Sequence, residues 1–163
     1  MNFDASQTFA APASKVLACY ASAELYEQLP EFSKISRPTL LDRSEHGGRI
    51  TLRLHYRFTA DLPAAALAII DPSRLTWIEE TVYDLAEGTA SSQLLPDHYA
   101  SKLKASARAT FRDTATGSSR TVAGELKVRV LLVAGQVEKA IVSGLKEHLA
   151  EEAEVVATLL GDG

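Results

Sequence analysis

The stretch GQVEKAIVSGLKEHLAEEAEVVATLL, residues 135–160, decides the fold that the sequence predicts. Its apolar residues recur every three or four positions, as they do along one face of an α-helix. This spacing predicts one amphipathic helix from about Gly135 to Leu160, and Gly144 within the stripe indicates close approach to another element. The predicted stripe comprises Val137, Ile141, Gly144, Leu145, His148, Leu149, Glu152, Val155, Val156 and Leu159.

Most of the chain before this helix alternates apolar and polar residues, which is typical of strands with one buried face. The clearest case is 49–60, where every second residue from Ile50 to Phe58 is apolar, and Gly47-Gly48 before it predicts a hairpin turn. Residues 74–85 carry apolar groups at both parities, so their orientation is not predicted. Strands are predicted at residues 2–10, 33–43, 49–60, 74–85, 89–95, 99–112 and 120–131.

These elements predict an α+β fold. Hairpin-length connections make the sheet antiparallel, and its apolar face needs a cover, which the terminal helix is long enough to provide. We therefore expect a strongly curved antiparallel sheet of about seven strands wrapped around the C-terminal helix. Two short helices, 14–20 and 23–29, follow the first strand, and a small one is expected at 62–70. No linker or repeat divides the chain, so residues 1–163 form a single predicted domain.

Composition and charge exclude several classes of function. The chain has 17 Lys and Arg against 21 Asp and Glu, a net charge of −4. A mildly acidic chain lacks the basic face that nucleic-acid binding needs, so no nucleic-acid partner is predicted. The one cysteine, Cys19, cannot form an internal disulfide, and no apolar run reaches the roughly 20 residues of a membrane helix. We expect a cytoplasmic protein without integral membrane association; its oligomeric state is not predicted.

The order of elements resembles that of the START-like superfamily, also called SRPBCC, whose helix-grip fold is shared with the birch pollen allergen. The resemblance runs from Asn2 to about Leu160, and FAAPASKV (residues 9–16) looks like the usual start of such domains. A closer likeness is to an uncharacterised bacterial branch, a domain of unknown function. It is carried by Leu62-Pro63-Ala64, Thr76-Trp77, Glu80-Thr81, VAGEL (122–126) and LVAGQVEK (132–139). Ser91-Ser92-Gln93 departs from the pattern, which leaves the fifth strand in doubt. Membership implies a cavity that can bind apolar molecules, and supplies no catalytic residues.

The candidate ligand-binding residues are those whose parity points into the space between sheet and helix. Alanines in the same inward rows, Ala105, Ala107 and Ala109, favour open space there, although they equally permit close packing of helix on sheet. The predicted lining comprises Leu52, Leu54, Tyr56, Phe58, Tyr99, Leu103, Val128, Ile141, Leu145 and His148.

Histidine is the main candidate for chemistry in this chain. His46 and His55 are expected at the surface, whereas His148 lies one helical turn before Glu152 beside the apolar stripe. His148 either pairs with a glutamate at the helix edge or faces a ligand. Zinc-ligand spacings, nucleotide-binding glycine loops and nucleophile motifs do not occur in the sequence. No metal, cofactor or catalytic residue is therefore assigned.

Three functions remain open at this point. The first is binding or transport of a small hydrophobic or amphipathic molecule, lipid-like or polyketide-like, in the cavity. The second is a cyclase- or hydratase-type enzyme, which would use His148, Glu152, Tyr56 and Tyr99 in the same cavity. The third is a ligand-free protein-interaction module with a filled core. The first is favoured, and the sequence does not identify the ligand.

Overall fold

The computed structural model describes residues 1–161 and consists of one sheet with a long helix across it. The strands are β1 (Asn2–Phe9), β2 (Thr39–His46), β3 (Arg49–Arg57), β4 (Thr76–Asp84), β5 (Thr89–Pro96), β6 (Leu103–Thr114) and β7 (Gly117–Val128). The helices are α1 (Ala13–Tyr20), α2 (Ala23–Gln28), α3 (Ala64–Leu67) and α4 (Ala134–Leu159). The last two residues of the predicted domain, 162–163, lie outside the described residues.

The seven strands form a single curved antiparallel sheet, in the order β1-β7-β6-β5-β4-β3-β2. Strands β2 to β7 lie side by side in sequence order. The last strand, β7, also pairs with the first, β1, from Asn2↔Glu125 to Phe9↔Ser118. The predicted fold is thus confirmed: a seven-stranded antiparallel sheet, two short helices after the first strand, and one unbroken C-terminal helix. No helix within residues 1–161 is long and apolar enough to cross a membrane.

The helix α4 lies across the inner face of the sheet, and its Gly144 packs against the Phe58 ring. A Cβ atom on Gly144 would lie 2.8 Å from a ring carbon of Phe58, which follows directly after β3. Near the start of the helix, the Glu138 carboxylate accepts a 3.0 Å hydrogen bond from the Val128 backbone N–H and lies 3.6 Å from the N-terminal ammonium group. These contacts tie α4 to both sides of the sheet.

The short helices α1 and α2 close one end of the core around Tyr20, which is fully buried. The Tyr20 ring makes an edge contact with Phe9 at 6.4 Å between centroids and a tilted contact with Phe111 at 5.7 Å. Ser22 caps α2 by accepting a hydrogen bond from the Leu25 N–H. This aromatic cluster contacts the functional site described below.

Several element boundaries differ from the predictions for local backbone reasons. The second strand begins at Thr39 rather than at residue 33, because Pro38 has no N–H to donate to a ladder. Tyr99 is not on a strand: it has φ 61° in a turn whose Lys102 and Leu103 N–H groups bind the Tyr99 carbonyl, and β6 starts after that turn. The helix predicted at 62–70 is only four residues long.

The fifth strand, which the polar stretch at residues 91–93 had left in doubt, is a regular strand. Ser91 and Gln93 are exposed, so they solvate the outer face. Ser92 points inward, where its hydroxyl is 2.8 Å from the Thr81 hydroxyl on β4. The polar residues therefore suit both faces of the sheet, because the inner face at this place is itself polar.

The contact between Gly144 and Phe58 is open to a direct test. We expect Gly144→Leu to lower the free energy of unfolding by about 1–3 kcal/mol, because the new side chain has to displace the Phe58 ring. Ser143→Leu, at an exposed position of the same helix, is the matched control and should change stability by less than about 0.5 kcal/mol. Chemical denaturation measures both, and equal stability of the two variants would contradict the packing described here.

Candidate functional site

A cavity lies between the inner face of strands β4 to β7 and the second half of α4. Its volume is about 80 Å³. This is several times the roughly 15 Å³ that one water needs, so the cavity has room for a few waters or for a small part of a ligand. The cavity is lined by Phe3, Tyr26, Glu79, Thr81, Tyr83, Ala90, Ser92, Leu94, Ala105, Ser106, Ala107, Ala109, Arg120, Val122, Leu145, His148, Leu149 and Glu152.

Four ionisable side chains line this cavity, and regular secondary structure places each of them there. Glu79 on β4 has the parity of Trp77 and Thr81, both of which are buried. Arg120 lies two residues before the buried Val122 on β7, so it too points inward. His148 and Glu152 lie four residues apart on α4, on the face turned to the sheet. We call Glu79, Arg120, His148 and Glu152 the polar cluster.

His148 is held in place by two aromatic rings. Its imidazole makes edge contacts with Phe32 at 4.6 Å and with Tyr56 at 5.4 Å between centroids. Its Nε2 atom is 3.5 Å from a carboxylate oxygen of Glu152, whereas Nδ1 is buried and has no hydrogen-bond partner within residues 1–161. A buried ring nitrogen without a partner is costly unless a ligand or water satisfies it. The site therefore offers one free polar atom on a fixed ring.

Arg120 brings a buried positive charge to the opposite wall. Its guanidinium carbon lies 4.2 Å from the centre of the Tyr20 ring, a cation–π geometry. One terminal nitrogen donates a 3.3 Å hydrogen bond to the side-chain oxygen of Gln7, while Nε has no partner in the described part of the chain. The Tyr20 ring and Gln7 hold the guanidinium group in position, so its positive charge stays on one wall of the cavity.

The two carboxyl groups of the polar cluster differ in their environment. Burial raises the pKa of Glu79 above its ordinary value, and the negative charge of Glu152 raises it further. Burial alone would also raise the pKa of Glu152, but the hydrogen bond and charge interaction with His148 and the positive charge of Arg120 outweigh it and lower that pKa. The pKa values of the two carboxyl groups are thus shifted in opposite directions, as in sites that use an acid and a base together.

The rest of the wall is divided between hydroxyl groups and small apolar side chains. The Tyr26 and Tyr83 hydroxyls lie 3.3 Å apart, and Thr81 pairs with Ser92. The β6 row of alanines, which the sequence analysis linked to open space, lines the cavity throughout. The apolar contribution comes from Phe3, Ala90, Leu94, Ala105, Ala107, Ala109, Val122, Leu145 and Leu149.

The structure brings only part of the predicted lining to this cavity. Leu145 and His148 line it, and Tyr56 touches it indirectly through the His148 ring. The predicted residues on and after β3, which are Leu52, Leu54, Tyr56 and Phe58, are packed in the core at 0–3% exposure. Tyr99, Leu103, Val128 and Ile141 line a second cavity of about 10 Å³ beside the first half of α4. Whether a ligand contacts these eight residues stays a prediction.

Sequence reasoning missed Glu79 and Arg120, which are central to the site. The signal for Arg120 was present, because it shares the parity of Val122 and Leu126 on β7. The signal for Glu79 was ambiguous, since β4 carries apolar residues at both parities and its inner face could not be chosen. Among residues 1–161, no group of three His, Cys, Asp or Glu side chains is placed to hold a metal ion.

The carboxyl groups of Glu79 and Glu152 should change the stability of the fold in opposite ways as pH rises. Glu79 has a raised pKa in the fold, so its ionisation costs stability as pH rises through that value. Glu79→Gln should therefore gain stability relative to the wild type between acidic and neutral pH. Glu152 has a lowered pKa and stabilises the fold above its ordinary value of 4.5. Glu152→Gln should be less stable at neutral pH, and the deficit should shrink in acid.

Denaturation of the wild type and both variants across a pH series measures these differences. Glu154→Gln, at an exposed position of the same helix, provides the control and should follow the wild-type curve. Deviations of the same sign for Glu79→Gln and Glu152→Gln would mean that the two carboxyl groups do not differ as described.

Several solved structures share this fold over nearly the whole chain, although their sequence identity to it is low. A protein of Thermus thermophilus has 12% identity and a TM-score of 0.68, with 97% of this chain and 95% of that chain covered. The Zhui aromatase/cyclase of a Streptomyces species has 18% identity and a TM-score of 0.62, with 97% and 92% covered. Norcoclaurine synthase of Thalictrum flavum has 17% identity and a TM-score of 0.66, with 100% and 87% covered. At these identities the likeness establishes the helix-grip fold alone.

The sequence itself points to a family. No curated protein matches it. Residues 4–160, which include most of β1, the other six strands and all of α4, match the family described as "Protein of unknown function (DUF2505)". This agrees with the resemblance to an uncharacterised branch of the START-like superfamily, and the chain belongs to the DUF2505 family.

Proposed function

We propose that this protein binds a small amphipathic molecule in the cavity between the sheet and α4, and serves as its carrier. The observation that supports this most directly is the buried, unpartnered Nδ1 of His148, a residue that lines the cavity. Unsatisfied buried polar atoms are rare in folded proteins, and ligand sites commonly combine apolar walls with a few such groups. A ligand polar group bound at His148 would satisfy that nitrogen.

The walls indicate how such a ligand would be oriented. Its apolar body would lie along the alanine row of β6 and against Leu145 and Leu149 of α4. Its polar end would face the polar cluster, where both hydrogen-bond donors and acceptors are available. Tyr56 would contribute by holding the His148 ring. A structure of norcoclaurine synthase, which shares the fold, is in complex with dopamine and hydroxybenzaldehyde, and we extend only the binding of a small molecule to this chain.

A second candidate function, an enzyme of cyclase or hydratase type, is favoured by one specific observation. Glu79, His148 and Glu152 line the same cavity, and the two carboxyl groups have pKa values shifted in opposite directions. An acid and a base in one cavity can move protons on a bound substrate. The Zhui protein, which shares the fold, is an aromatase/cyclase.

Ligand binding can be tested with a probe and one cavity-filling variant. We expect a fluorescent fatty-acid analogue to bind the protein and to raise its melting temperature, since binding to the native state alone stabilises it by mass action. Ala107→Phe should abolish binding with little loss of stability, because the new ring occupies open space beside β6. Ala123→Phe, at an exposed position on the neighbouring strand β7, is the control and should bind normally.

The same experiment separates the carrier from the ligand-free interaction module. A filled core would be overpacked by Ala107→Phe at a cost of about 1–3 kcal/mol. Failure of a broad panel of apolar and amphipathic probes to bind, together with that destabilisation, would therefore reject the carrier and favour the module.

If the protein is an enzyme, His148 should be required for turnover. For a substrate whose conversion requires proton transfer, His148→Ala should lower kcat by about 10²- to 10⁴-fold while the circular dichroism spectrum is unchanged. His46→Ala, at an exposed position, is the matched control and should retain full activity. Turnover that survives His148→Ala and Glu79→Gln unchanged would exclude an acid–base role for the polar cluster.

A further inference from the structure

The turn between β7 and α4 displays two leucines in solvent. Leu131 is 84% exposed and Leu132 is fully exposed, whereas no other large apolar residue within 1–161 exceeds about half exposure. Leu132 has φ 69°, and the Val133 N–H donates a 2.9 Å hydrogen bond to the Leu131 carbonyl. A tight turn with positive φ at its centre is strained for a leucine. We call residues 131–132 the leucine turn; its backbone holds both side chains away from the core.

Four cations lie at the end of the β6–β7 pair, next to this turn: Lys104 on β6 and Lys127 on β7, with Lys102 and Arg129 just beyond the two strands. Lys104 is directly opposite Lys127 in the β6–β7 register, although like charges at opposite positions repel each other. The Arg129 N–H donates a 2.7 Å hydrogen bond to the Lys102 carbonyl, which continues the pairing toward the leucine turn. All four residues are exposed. We call Lys102, Lys104, Lys127 and Arg129 the cation column.

No carboxylate balances these charges at close range. Within residues 1–161, none of the four cations has a carboxylate oxygen within 4 Å. Glu125 is on the same face of β7, and it is not paired with any of them. The whole chain carries a net charge of −4, so a group of four unpaired cations is a local departure from its acidic character. The charge of this surface is complementary to an anionic partner.

Apolar groups next to the cation column indicate which class of anionic partner fits this surface. Ile69 is 43% exposed, and it lines the small cavity beside α4 together with Lys102 and with Val130, the residue that directly precedes the leucine turn. Nucleic acid would use the cations and leave the leucines in water. The interface of an anionic bilayer accommodates both groups, because lipid phosphates and carboxylates meet the cations while the apolar side chains enter the boundary of the acyl chains.

We propose that the leucine turn and the cation column together dock this protein on anionic lipid membranes. The docking is peripheral and reversible, since it uses a few side chains and no membrane-spanning element. It goes beyond the proposed ligand binding and does not depend on it, because none of the docking residues except Lys102 lines either cavity described above. Loss of one function therefore leaves the other testable.

Sedimentation of the full chain with vesicles tests the proposal. We expect binding to vesicles of phosphatidylcholine mixed with phosphatidylserine, no binding to phosphatidylcholine alone, and weakening in high salt. Leu131→Ser with Leu132→Ser should weaken binding by about tenfold or more. Lys104→Gln with Lys127→Gln should weaken it by about 25-fold, since each cation near an anionic surface contributes about a factor of five.

Matched variants control for loss of charge and of apolar surface elsewhere. Arg108→Gln with Arg112→Gln removes two exposed cations farther along β6, and Leu41→Ser with Leu85→Ser removes two exposed leucines away from the turn. Both control proteins should bind vesicles nearly as well as the wild type. Circular dichroism of each variant verifies folding.

Several results would overturn the proposal. These are no binding to phosphatidylserine vesicles at low salt, or binding that is unaffected by the leucine substitutions. Equally tight binding to duplex DNA with the same dependence on the cation column would assign the surface to nucleic acid instead. A dimer that forms in solution and is abolished by the leucine substitutions would assign the leucine turn to a second copy of the chain.

Discussion

The close contact between Gly144 of α4 and the Phe58 ring leaves no room for a side chain at that position, and it fixes one point of the helix against the inner side of the fold. A 26-residue helix spans about 39 Å, whereas the sheet beneath it curves. A long helix therefore contacts such a surface closely over only part of its length. Where the two surfaces separate, long side chains must fill the gap or a cavity remains. On β6 the inward residues are alanines, and the gap stays open beside Leu145 and His148.

The open gap in the core allows charged side chains at the positions that surround it. Buried charges are costly in a dry interior, and removal of one partner of a buried ion pair is strongly destabilising. In this protein, Glu152 interacts with His148, and Arg120 is stacked on Tyr20. Arg120 is also hydrogen-bonded to Gln7, and all of these charged side chains line the cavity. The polar cluster is therefore compatible with a stable fold because the cavity beside it admits water or a polar ligand group.

The sequence predicted the fold better than the site, and the reasons lie in particular residues. Periodicity identified α4 and the inner faces of β1, β3, β6 and β7, because in those segments the apolar residues share one parity. The same rule did not orient β4, where Ile78 and Val82 alternate with Trp77 and Tyr83, and so Glu79 went unrecognised. Tyr99 was misplaced because nothing local marks a tyrosine for positive φ.

Parity also assigns residues to a face without distinguishing packed core from cavity wall. Leu52 and Leu54 point inward as predicted, and both are packed under neighbouring side chains. The distinction depends on which residues lie opposite in space. Across from Ala107 there is too little side chain to fill the gap, and that is a property of long-range contacts between α4 and β6. Such pairs are far apart in the sequence, so no local pattern reports them.

The helix α4 also links the two surfaces to which functions are proposed. Its first turn follows the leucine turn directly, while His148 and Glu152 lie in its second half on the cavity. Gly144 lies between these regions, at the contact with Phe58. From the first residue of α4 to His148 the helix rises by roughly 21 Å, at 1.5 Å per residue. The two proposed functions therefore use separate stretches of one element, and substitutions at the leucine turn leave the side chains that line the cavity in place.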